Sequence, residues 1–144
     1  LARHHQERAM ELCPSDAYIM GKNAALLVYL GEPEKALEIV QHAMRINPFC
    51  PDELFVDEGM CYFWLEKYSD AANCFKKIKT PSRESLFYFA ATFSKLGEKQ
   101  KSAETLTQAL KMTDLRVKDF LVTQHYQNPE LKQVLREILE SIPI

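Results

Sequence analysis

Leu30-Gly31-Glu32-Pro33-Glu34-Lys35-Ala36-Leu37-Glu38-Ile39-Val40-Gln41-His42-Ala43-Met44-Arg45-Ile46-Asn47-Pro48 is the stretch on which the reading of this chain turns. A glycine that stops one helix is followed by a proline suited to the first turn of the next. Ala36, Leu37, Val40, Ala43, Met44 and Ile46 then share one helical stripe, in which small Ala36 and Ala43 let two helices approach closely. His42 lies off the stripe and reads as an exposed side chain. Pro14 and Pro48 stand 34 residues apart, as do Ala2 and Ala36, and Ala9 and Ala43. Self-similarity at such an interval marks stacked supersecondary units.

Working outward, Ala71, Phe75 and Ile78 follow Ala36, Val40 and Ala43 by 35 residues, and Ser102, Leu106 and Ala109 follow them by a further 31. The changes in spacing fall in the links, where stacked hairpins tolerate them because the helices carry the interfaces. The expected units are 1–14, the second helix of a repeat whose first helix is missing; 15–48; 49–80; 81–114; and 115–144, a capping pair of helices. Ser15-Asp16 and Thr80-Pro81-Ser82 can cap helix starts, and Gly31 and Gly97 mark helix ends. Leu131, Val134, Leu135, Ile138, Leu139 and Ile142 form a last amphipathic stripe after Asn128-Pro129. The fold class expected is all-α, a stack of antiparallel helix hairpins closed by C-terminal capping helices.

Composition narrows the functions. With 47% hydrophobic residues among 144, the chain can form one core, and a net charge of -2 gives no general attraction to nucleic acid or anionic membrane. No apolar run approaches the roughly 20 residues that cross a bilayer. Cys13, Cys50, Cys61 and Cys74 have neither Cys-x-x-Cys nor zinc-finger spacing, so reduced thiols and a cytoplasmic setting are expected. His4 and His5 are adjacent and cannot share a helix face, which favours a solvated end over a metal site. There is no Gly-x-Ser-x-Gly, phosphate-cradling loop or His-Glu-x-x-His, so neither catalysis nor a cofactor or metal is expected.

From 48 to 66 the chain carries Asp52, Glu53, Asp57, Glu58 and Glu66 and no lysine or arginine. The same stretch holds Phe55, Val56, Met60, Tyr62, Phe63, Trp64 and Leu65, more large apolar side chains than one core-facing stripe requires. Two sticky faces are expected on this helix.

Leu-Gly-Glu-Pro-Glu-Lys-Ala at 30–36, Leu-Glu-Lys-Tyr-Ser-Asp-Ala at 65–71 and Asn47-Pro48 resemble the tetratricopeptide repeat, over nearly everything up to Asp114. Asn47-Pro48-Phe49-Cys50-Pro51-Asp52, with Phe120-Leu121 and Asn128-Pro129-Glu130-Leu131, is similar to the C-terminal repeat regions of bacterial class III adenylate cyclases and related winged-helix regulators. The first resemblance implies a right-handed superhelix, an α-solenoid whose leading helices line a concave groove. Tyr18, Gly21, Ala25, Val28 and Tyr29 would come from one repeat. Glu53, Val56, Asp57, Met60, Phe63 and Trp64 would come from the next, and Glu84, Phe87, Ala91, Ser94 and Lys95 from the third. Where chaperone-binding members of the family hold a carboxylate with lysine, asparagine and arginine, this chain has Gly21, Ala25, Asp57, Glu84 and Tyr88, and Asp57 and Glu84 would repel that anion. Asn23 and Glu58 stand where the repeat usually places a large apolar residue, so either the helices rotate locally or these groups find partners.

The function expected is therefore a non-catalytic protein-interaction module, binding a partner protein or peptide in an aromatic, acidic groove built from Tyr18, Tyr29, Glu53, Val56, Asp57, Met60, Phe63, Trp64, Glu84 and Phe87. Any one of Phe63, Trp64 and Phe87 reads equally well as core, and it is the cluster that argues for the groove. The alternative is a regulatory or dimerising region of a larger signalling protein such as a cyclase or transcriptional regulator, its N-terminal helix face docking upstream repeats or a second copy as a homodimer.

Overall fold

A computed structural model of the chain describes residues 3, 17–47, 49–112 and 116–144, and for Ala17 and Tyr18 the backbone alone. The expected first unit, apart from Arg3, lies outside the described residues. Those residues form eight helices and no strand: α1 (Ala17–Tyr29), α2 (Pro33–Ile46), α3 (Asp52–Trp64), α4 (Tyr68–Lys76), α5 (Arg83–Lys95), α6 (Lys99–Lys111), α7 (Val117–Val122) and α8 (Pro129–Glu140). None is long and apolar enough to cross a membrane.

The helices pair in chain order. The most extensive packing joins α1 to α2, α3 to α4 and α5 to α6; α2 and α4 then pack on the following helices α3 and α5, and the leading helices α1, α3 and α5 touch in series. All nine positions of the recurring triplet are buried: Ala36, Val40 and Ala43; Ala71, Phe75 and Ile78; Ser102, Leu106 and Ala109. Ser102, the one polar member, donates its hydroxyl to the Ala90 carbonyl at 2.8 Å, so it is buried without loss of a hydrogen bond.

Each hairpin turns by the same device. Gly31, Glu66 and Gly97 all take the left-handed conformation, with φ of 82°, 61° and 77°. The next residues, Glu32, Lys67 and Glu98, donate their N–H groups back to Leu27, Tyr62 and Phe93. These bonds satisfy carbonyls that a helix end would otherwise leave open. At the other ends, Ser82 Oγ accepts from Ser85 N at 3.1 Å and Asn128 Oδ1 from Glu130 N at 2.9 Å. Asp52 reaches further than the first turn of α3: its carboxylate accepts from the Lys79 and Thr80 amides, tying the start of α3 to the link after α4.

The chain's tail divides its work. Helix α8 packs against α5, and its Leu135 and Leu139 are buried. The segment between α7 and α8 instead crosses the leading helices. Glu58 is buried and accepts a hydrogen bond from the Cys74 thiol at 3.0 Å, so this group finds a partner.

Two stability predictions come from these turns and contacts. A Cβ on Gly59 would sit 2.6 Å from the Phe75 ring, so Gly59→Ala should cost about 1–3 kcal/mol by overpacking, read from urea unfolding. Glu66 holds a conformation that disfavours a side chain, and Glu66→Gly should raise stability by about 1 kcal/mol.

Candidate functional site

The inward faces of α1, α3 and α5 converge on residues 120–127. Phe120, on α7, stacks on Phe87 of α5 with centroids 4.2 Å apart and meets Tyr88 edge-on at 6.0 Å. After α7 the chain is no longer helical, and burial alternates: Gln124 and Tyr126 are 1% and 8% exposed, while Thr123, His125 and Gln127 face outward. This period of two is that of an extended peptide lying on a surface. Tyr126 packs edge-on against Tyr29 at 4.9 Å and Trp64 at 5.2 Å. The Gln127 amide donates to the Tyr29 carbonyl at the end of α1.

A chain of hydrogen bonds fixes this register. Trp64 Nε1 donates to the Tyr126 hydroxyl at 2.8 Å, and Tyr88 donates to Gln124 Oε1 at 2.7 Å. The Tyr88 and Tyr126 hydroxyls also touch. Since Tyr88 has one proton and gives it to Gln124, Tyr126 donates to Tyr88, and the order is Trp64 to Tyr126 to Tyr88 to Gln124. Tyr29 supplies a second, longer bond to Gln124 Oε1 at 3.4 Å, and the Gln124 amide nitrogen donates to Thr123 Oγ1. Burial pushes the Tyr29, Tyr88 and Tyr126 hydroxyls well above the ordinary tyrosine range, so all three stay protonated as donors.

This packing corrects the expected groove. Met60, Phe63 and Phe87 are 1%, 2% and 0% exposed: they belong to the core and line no open surface, because the leading helices pack on one another and residues 120–127 close over them. Tyr29 and Trp64 are half-buried at the edge of the covered region. The side chain of Tyr18 lies outside what is described. Phe120, Gln124 and Tyr126 are absent from the residues expected at the groove. Their only sequence signal is an aromatic residue, an amide and a tyrosine at intervals of four and two, a spacing that fits no helix face.

What remains open on the inner face is acidic. Glu53 is exposed, and Val56, Asp57 and Glu84 are partly so. Helices α1 and α3 approach closely at Gly21, where an added Cβ would lie 3.3 Å from Asp57 Oδ2. Asp57 and Glu84 have no hydrogen bond or ion pair among the described residues. Burial first, and then the Glu84 charge, push the Asp57 carboxyl up to about 7, against a smaller opposing pull from Lys22. Glu84 is raised too, mainly by burial, with Lys22 and Arg83 acting against the shift. Among the described residues, no three or more His, Cys, Asp or Glu side chains are grouped to hold a metal ion. Neither a family model nor a curated protein matches this chain.

Removing the Tyr126 hydroxyl alone leaves the part-buried Trp64 indole N–H without an acceptor, and the Tyr88 hydroxyl, which still donates to Gln124, without a donor. Tyr126→Phe should therefore cost about 1–3 kcal/mol in chemical unfolding, while Tyr29→Phe, which loses one long and shared bond, should cost under about 1 kcal/mol.

Proposed function

We propose that the chain is a non-catalytic protein-interaction module of the tetratricopeptide kind, a right-handed superhelix of stacked hairpins working in the cytoplasm. Its reduced thiols fit that compartment: Cys50, Cys61 and Cys74 are free. On this reading, the acidic part of the inner face takes a basic segment of a partner protein. Glu53, Asp57 and Glu84 supply the charge, Val56 an apolar floor, and half-buried Tyr29 and Trp64 a border against which an aliphatic stem can lie.

The observation that carries this reading is Asp57. A carboxylate held partly out of water beside a second carboxylate, with no hydrogen bond, works against folding at neutral pH. A lysine or arginine inserted between Asp57 and Glu84 would add to the partial countercharge that Lys22 supplies. Strained electrostatics of this sort mark places where stability has been given up for binding.

The sign of the pH effect follows. In the folded chain Asp57 keeps its proton up to about 7, whereas an unfolded aspartate releases it near the ordinary 3.8. Folding is therefore favoured by this group at low pH, and the advantage drains away as pH rises between those two values. Asp57→Asn should raise the thermal midpoint at pH 8, with the gain closing as pH falls towards 4. The same substitution and Glu84→Gln should each weaken capture of a labelled lysine- and arginine-bearing peptide by about tenfold, the equivalent of about 1.4 kcal/mol, with a loss that shrinks in high salt. Anisotropy titrations in which both variants bind such peptides as the wild type does would remove the reading.

A further inference from the structure

The covered part of the inner face is as informative as the open part. Residues 123–127 lie on α5, α3 and α1 in turn, and their buried groups are received by side chains or a carbonyl of those helices: Gln124 by Tyr88 and Tyr29, Tyr126 by Trp64, and the Gln127 amide by the Tyr29 carbonyl. From Thr123 to Gln127 the side chains alternate between exposed and buried, as they do in an extended peptide held in a groove. Resting on the reading that the inner face receives a partner segment, we propose that residues 123–127 are a built-in occupant of that face. A partner protein takes their place by presenting the same chemistry: an amide side chain and a tyrosine two residues on.

The attachments explain how the exchange can occur without unfolding. Phe120 and Leu121 are buried on one side of the crossing, and Leu135 and Leu139 are buried in α8 on the other, with α8 packed on α5. Between these two anchors, a single backbone hydrogen bond, Gln127 to Tyr29, joins residues 123–128 to the inner face. The middle of the crossing can therefore lift while both of its ends stay seated. A tethered segment competes at an effective concentration in the millimolar range, so a free segment binds the intact chain weakly and gains only when the internal one is impaired. Selectivity comes from the buried polar groups: a segment without the amide or the tyrosine hydroxyl would strand the Tyr88 and Trp64 donors away from water.

The test uses the full chain and a synthetic peptide of residues 117–129, followed through Trp64, the sole tryptophan. A variant carrying Gln124→Ala and Tyr126→Ala should bind this peptide at least about tenfold more tightly than the wild type does, and should not bind a peptide carrying the same two substitutions. No saturable binding to the variant, or equal affinity for both proteins or both peptides, overturns the proposal. Native-state hydrogen exchange covers the case in which the variant does not fold. In the wild type, the Gln127 amide should exchange through an opening at least about tenfold more frequent than that of the slowest amides in α3 and α5. Exchange of Gln127 only by global unfolding makes the crossing a permanent core element and defeats the inference. Sedimentation as a dimer with exchanged tails would name a second copy as the occupant and defeat it as well. A basic peptide that still binds at Asp57 and Glu84 after any of these failures leaves the earlier reading standing.

Discussion

A helix that is apolar on two faces has to be covered twice, and α3 is such a helix. Its first face closes on α4, where Gly59 admits the Phe75 ring, and its second turns inward with Met60, Phe63 and Trp64. Neighbouring leading helices cover only part of that second face. The remainder, shared with Tyr29, Phe87 and Tyr88, would stand in water unless another element lay across it, and the chain provides one from its own tail. The path of residues 120–127, the split duties of the terminal helices and the restriction of open surface to the acidic rim all follow from that need.

Apolar cover alone would leave the position of the tail loosely defined, since aromatic rings slide over one another at little cost. The hydrogen-bonded series from Trp64 to Gln124 removes that freedom, because a shift by one residue would turn Gln124 and Tyr126 outward and leave the Trp64 and Tyr88 donors unmet. The two ends of the inner face thus use polar groups in opposite ways. Around Tyr126 they are paired and fix one arrangement. Around Asp57 they are unpaired among the described residues, and two carboxylates face each other without a hydrogen bond.

How much of this could be read from the residues depended on the range of the interactions. The hairpins were legible because one triplet of buried positions returns three times at helical spacing, and Gly31 and Gly97 announced two of the three turns. Glu66 did not: glutamate gives no sign of a left-handed backbone, and only its place in the repeat shows that the same turn is required. Tyr29, Trp64, Asp57 and Glu84 were expected near one another, and the structure does bring Tyr29 and Trp64 together around Tyr126 and Asp57 close to Glu84. That Met60, Phe63 and Phe87 are closed over was not legible. The covering contacts join residues 36, 62 and 95 positions apart, through a segment with no helical period. Glu58 shows the same limit on a smaller scale, since nothing local names Cys74 as the group that receives it.

The size match between Gly59 and Phe75 reaches beyond its own hairpin. The corresponding pairs are Ala24 with Val40 and Ala90 with Leu106, so the smallest leading residue goes with the bulkiest trailing one. The three hairpins are alike in backbone but cut to different internal measures. Recombining them would succeed at the links that precede α3 and α5, where both members of a pair travel together. A crossover inside a hairpin would set the Phe75 ring against an alanine methyl or leave a void opposite a glycine.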